Sequence, residues 1–113
     1  MKIRPRQLVN HRTIQAVARH IGTVAKPEKI ILFGSYASGH PRAESDVDLL
    51  VIMRSRKRSS ERAAELSRLL EPRPFPVDLL VRTPREIRRR LARGDTFIRE
   101  ILHGGRVLYP RPA

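Results

Sequence analysis

The sequence predicts an α/β (α+β) fold: a small mixed β-sheet with helices packed against it. Three observations carry this expectation. Lys29–Phe33, the apolar run that continues to Met53, and Val77–Arg82 are short and rich in Ile, Leu and Val, as buried strands are. The segments around them space their apolar residues at a helical period. Gly and Pro stand at the junctions, where a chain changes element. Residues 1–113 make one domain, with no internal repeat, linker or low-complexity tract.

In chain order, the first helix is expected from Leu8 to about Ala25, with Ile14, Val17, Ala18, Ile21, Val24 and Ala25 as its apolar stripe. Pro27 ends it, and Lys29–Phe33 forms the first strand. Ser35–Ser38 is long enough for one helical turn, stopped by Gly39 and Pro41. The second strand opens at Asp46 and runs to Met53, and the basic stretch Arg54–Ser60 is a loop. Ser59 or Ser60 can cap a helix to about Leu70, with Ala63, Leu66, Leu69 and Leu70 as its apolar side. Three prolines keep Glu71–Pro76 out of a helix and lead into the strand Val77–Arg82. Thr83-Pro84-Arg85-Glu86 is a capping box with Pro at the first helical position. Ile87 and Leu91 point inward from that helix and Arg88, Arg89, Arg90 and Arg93 outward, until Gly94 ends it. Asp95 caps a last helix carrying Phe97, Ile98, Ile101 and Leu102, closed by Gly104-Gly105, and Val107–Tyr109 adds a short strand.

Composition narrows the function. Without cysteine, disulfides, thiolate catalysis and Cys-ligated zinc are excluded, which fits a reducing cytosol. His11, His20, His40 and His103 show no metal-ligand spacing. The first residues lack the apolar segment of a signal peptide, and Leu49–Met53 is far below the roughly 20 residues of a membrane span. A cytoplasmic protein with no membrane partner is expected. The net charge of +13 attracts nucleotides, nucleic acid and acidic protein. Lysine supplies only Lys2, Lys26, Lys29 and Lys57, so an arginine-biased composition is the duller cause of that charge. With two Tyr and three Phe, stacking platforms for RNA bases are sparse.

The chemistry concentrates between Phe33 and Leu50. Gly34 lets a ligand approach the backbone, because no Cβ stands in the way. The N–H groups of the turn after it and the Ser35 hydroxyl would form a phosphate site. Asp46 and Asp48 are two apart on an expected strand, so both leave one face, roughly 5–6 Å apart. Like charges there repel by about 3 kcal/mol at an effective dielectric of about 20, and a divalent cation would offset that. Oxygen ligands beside phosphate favour Mg²⁺. Asp78 lies inside the apolar run Phe75–Val81, where a buried charge is costly unless paired or metal-bound. The competing reading is two solvated aspartates at the mouth of a loop.

Gly34-Ser35, ten residues, then Asp46-Val47-Asp48, with a later strand aspartate, resembles the signature of the DNA polymerase β-type nucleotidyltransferase superfamily. More narrowly it resembles the minimal nucleotidyltransferases (MNT), often the antitoxin half of HEPN–MNT pairs. The likeness runs from about Val9 to Tyr109, with Ser38 where many members carry Arg. The resemblance implies that fold, and transfer of AMP from ATP with release of pyrophosphate. Gly34 and Ser35 would hold the β- and γ-phosphates. Asp46, Asp48 and Asp78 would bind two Mg²⁺, with Asp78 helping to deprotonate the acceptor. The triphosphate site occupies most of the chain, so the acceptor is expected on a macromolecule or at an oligomer interface. The family's candidate is a tyrosine of a HEPN toxin, contacted by Arg85, Arg88, Arg89 and Arg93. Transfer to RNA or to a small molecule such as an aminoglycoside, an antitoxin that neutralises by contact alone, and a plain nucleic-acid binder are the alternatives.

Overall fold

The computed structural model describes residues 8–110. The elements are α1 (His11–Ala25), β1 (Lys29–Phe33), α2 (Ser35–Ser38), β2 (Val47–Ile52), α3 (Ser59–Leu69), β3 (Val77–Arg82), α4 (Pro84–Ala92), α5 (Thr96–Gly104) and β4 (Arg106–Tyr109). The four strands form one sheet in the order β3-β2-β1-β4. β1 runs antiparallel to β2 and β4, while β2 and β3 are parallel. The sheet is therefore mixed, as expected. A parallel pair needs a crossover, and α3 supplies it.

Alternation along the strands divides the core between the two faces. Ile30, Leu32, Leu49, Val51, Val77 and Val81 meet Ile14, Ala18 and Ile21 of α1 and Leu66 of α3. Ile31, Leu50 and Ile52 meet Ile87 of α4 and Ile98 and Ile101 of α5. The result is helices on both faces of a four-stranded sheet.

Several boundaries differ from the sequence expectation. Helix α1 begins at His11, because Asn10 accepts from the Thr13 N–H at 2.8 Å and so takes the N-cap position. Leu8 and Val9 precede the helix, and the Val9 N–H donates to the Tyr36 hydroxyl at 3.1 Å. That bond ties the start of α1 to α2. In α3, Ser59 and Ser60 are already helical; Arg58 takes the cap position and its side chain makes no cap bond. Strand β4 begins one residue early, at Arg106. The capping box of α4 forms as expected, with Glu86 N–H to Thr83 Oγ1 at 3.1 Å and Thr83 N–H to Glu86 Oε1 at 2.8 Å. Asp95 likewise caps α5 through the Ile98 N–H at 2.9 Å.

Sequence periodicity did not single out Arg62. It is 6% exposed, on the inner side of α3. Its guanidinium donates to Lys57 O at 2.9 Å, to Val81 O at 3.3 Å and to both oxygens of Glu86, at 2.7 and 3.3 Å. Arg62 thus spans the edge strand β3 and fastens α3 to the start of α4. Among the described side chains no buried polar atom lacks a partner.

Candidate active site

The site lies where β1 ends and β2 and β3 begin. Register places Phe33 opposite Asp48 and Asp48 opposite Asp78, so these three residues form one row across β1, β2 and β3. By alternation the row is on the face covered by α4 and α5. The next row inward is apolar: Ile31, Leu50 and Leu80. The aspartates sit where that apolar layer stops.

Asp48 and Asp78 are brought together as expected, but two expectations need correction. Asp78 is exposed, not buried, because β3 is an edge strand and Asp78 stands at its open end. The carboxylate that pays a burial cost is Asp48, which is half-buried. Asp46 is not on the strand. Regular pairing starts at Val47, and Asp46 precedes it on the irregular approach, exposed to solvent. It is still close enough for its charge to be felt. Burial first, then the charge of Asp78, then that of Asp46, push the Asp48 carboxyl up to about 6.

Among the described residues no three acidic or histidine side chains converge closely enough to form a ready-made metal site. The donor set nevertheless suits Mg²⁺. Every candidate ligand is a hard carboxylate oxygen, and the raised Asp48 records negative charge that a cation would relieve.

Gly34 packs directly on this row. Its φ of 75° and ψ of −155° belong to a region essentially reserved for glycine, and a Cβ there would overlap Asp48 Oδ2. The close approach inferred from the sequence is thus first of all an approach to a carboxylate. The Gly34 carbonyl accepts from the Ala37 and Ser38 N–H groups, each at 3.1 Å, so those two donors are engaged within α2. Ser35 opens the turn and is half-buried. The Ser38 hydroxyl donates to the Ser35 carbonyl at 3.0 Å and acts inside the turn.

The chain as a whole has known counterparts. Residues 13–108 match the model of the nucleotidyltransferase domain. The chain belongs to that family. The crystal structure of a candidate nucleotidyltransferase from Sulfolobus solfataricus, at 1.40 Å resolution, is similar in fold: the TM-score is 0.55 and the identity 22%, over 69% of this chain and 70% of that one. No curated protein matches the chain. Nucleotidyl transfer is therefore the general chemistry of the domain, with a nucleotide as substrate. No described helix is long and apolar enough to cross a membrane.

Sequence reasoning missed two features near the site. One is the exposed ring of Phe97, which meets Phe33 edge to face with centroids 5.8 Å apart. The other is Glu100, one turn further along α5. Their i, i+3 spacing was visible, but the docking of α5 on β1 was not.

Proposed function

We propose that this nucleotidyltransferase moves AMP from ATP to a hydroxyl of a macromolecular acceptor, a tyrosine of a HEPN-type partner, and so acts as the antitoxin of a pair. The observation that carries the transfer reading is the row Asp48–Asp78 beside the Gly34–Ser35 turn. Carboxylates and the Gly34–Ser35 turn meet there at one end of the sheet. The resemblance to minimal nucleotidyltransferases carries the choice of acceptor.

In this reading Gly34 and Ser35 hold the β- and γ-phosphates, through the open backbone of Gly34 and the Ser35 hydroxyl. Asp46, Asp48 and Asp78 would hold two Mg²⁺, which supply charge neutralisation at the triphosphate and at the acceptor oxygen. Asp78, exposed at the mouth of the site, receives the acceptor proton. The acceptor oxygen bonds to the α-phosphorus, the bond to the bridging oxygen breaks, and pyrophosphate leaves. Gly34 packs against Asp48 and fixes its position, which suits a carboxylate that would hold a cation. The exposed Arg85, Arg88 and Arg89 on α4, with Arg93 at its C-cap, offer an acidic partner a basic surface. That same surface favours RNA as the second reading of the acceptor.

Labelled ATP, Mg²⁺ and the partner test the proposal. Intact-mass measurement should show one added AMP on the partner, and none with Asp46→Asn. Asp78→Asn should keep most nucleotide affinity and lose about a hundredfold in transfer rate. Label on RNA instead would favour the second reading. A complex that forms without label anywhere would leave only neutralisation by contact.

A further inference from the structure

A cleft of about 290 Å³ opens between α2 and α5, beside the carboxylate row. Its lining includes Phe33, Gly34, Ser38, Phe97 and Glu100. Gly34 is common to the cleft and to the site, since it also packs on Asp48. A group bound here therefore sits next to one held on the Gly34–Ser35 turn. The volume is at the lower end for ligand pockets, enough for a ring system and not for a whole nucleotide.

The lining states what kind of group fits. Phe97 is 52% exposed, and its ring is held at 83° to that of Phe33. A single exposed Phe is ordinary on a protein surface. This one is fixed by a second ring at the wall of a cleft, where it presents apolar surface to a flat partner. Glu100 is the sole charged residue of the lining, and among the described residues it has no ion pair. On a chain of net charge +13, an acid beside the phosphate turn is unexpected. It repels phosphate, so the triphosphate does not extend into this cleft. A carboxylate accepts hydrogen bonds and donates none, so it selects a group with N–H donors.

We infer that this cleft is the nucleobase subsite, with Phe97 as a stacking wall and Glu100 accepting from an exocyclic amino group of the base. The inference rests on the nucleotidyl-transfer reading above and adds a specificity to it. Adenine carries such an amino group. Hypoxanthine has a carbonyl oxygen in its place and would meet Glu100 with two acceptors facing each other.

The test measures affinity for Mg²⁺-ATP, Mg²⁺-ITP and Mg²⁺-tripolyphosphate, which has phosphates and no base. The wild-type chain should bind ATP about tenfold more tightly than ITP. Phe97→Ala should weaken ATP about tenfold, while Phe97→Tyr, which keeps a ring, restores it. Glu100→Gln should narrow or reverse the ATP preference, because its amide can donate to the hypoxanthine oxygen. Tripolyphosphate affinity should stay the same in both Phe97 variants, and Glu100→Gln should not lower it, since that change only removes a charge that repels phosphate. If ATP binds no better than tripolyphosphate, or if Phe97→Ala and Glu100→Gln leave ATP affinity unchanged, the base subsite is wrong and the phosphate site stands. If Phe97→Ala slows transfer without changing ATP affinity, the cleft receives the acceptor, and the inference is overturned in that way. A wild-type chain that binds neither ATP nor tripolyphosphate overturns the nucleotidyl-transfer reading and this inference together.

Discussion

Asp48 is held in a position that disfavours its charge. Gly34 packs on it, Asp78 stands opposite on the neighbouring strand and Asp46 lies two residues before it. A carboxyl whose folded pKa is raised destabilises the folded chain at pH values where it must ionise. The penalty is absent below about 3.8, grows between there and about 6, and is complete above that. Asp48 is only half-buried, so solvent screens the cost to on the order of 1 kcal/mol. Asp48→Asn should therefore raise the melting temperature of the nucleotide-free protein by several degrees at pH 7. The gain should vanish near pH 4. The proposed function predicts a further rise of the wild type with Mg²⁺ and ATP through ligand linkage, and the same variant should lose it. A variant that is less stable at pH 7 would mean that the carboxylate is compensated within the fold. Such an exchange of stability for function is what a site of crowded like charges entails.

At the scale of elements, the strand pairing that makes the site was readable in part. Two aspartates spaced i, i+2 at the start of an apolar run pointed to the place. That Asp78 would meet Asp48 depended on β2 and β3 pairing in parallel, which no local pattern states. That it would be exposed depended on β3 being an edge strand. Edge and centre strands with the same sequence look alike until the sheet is assembled. Arg62 was illegible for a related reason. An arginine within an apolar helical stripe ordinarily reads as surface, and only the arrival of Glu86 from α4 gives it a buried partner. The Arg62 side-chain hydrogen bond is the main cause that pulls the Glu86 carboxyl down to about 2. A depressed carboxyl contributes stability that is present above its unfolded pKa, here about 4.5, and is lost as pH falls through about 2. Glu86 is partly exposed, so the contribution is on the order of 1 kcal/mol after screening. Glu86→Gln keeps a capping-box residue and removes the charge. It should lower stability at pH 7 and make the chain less sensitive to acid between pH 4.5 and 2, measured by chemical denaturation across that range. Equal acid sensitivity in both proteins would take the Arg62–Glu86 pair out of the stability of the fold.

Across the whole molecule, fold class and element order follow from apolar period and from Gly and Pro placement, because both are local signals. The Gly34–Ser35 turn and the acid pair were legible as a motif for the same reason. The cleft of Phe97 and Glu100 was not, since it exists only when α5 docks on β1, more than sixty residues earlier in the chain. The +13 charge was plain from the composition, yet its placement was not uniform. Arginines crowd the outer side of α4, while Asp46, Asp48, Asp78 and Glu100 gather around one end of the sheet. A basic molecule thus carries an acidic mouth, which leaves room there for metal ions and keeps polyanions from entering without them.

The two apolar layers are unequal. Among the described residues, sixteen buried side chains join the layer that includes α1 and α3, and six join the layer under α4 and α5. The sheet should therefore breathe on one side only. Backbone amides of α5 should exchange with solvent deuterium well before those of α1, because opening them uncovers less apolar surface. The wall of the cleft then belongs to the looser half of the molecule, and the Gly34–Ser35 turn is anchored through Tyr36 to the tighter half. A nucleotide bound across both would join them, and its arrival should be visible as slowed exchange along α5 with little change in α1. If both helices exchange alike and neither responds, the two halves open as one unit.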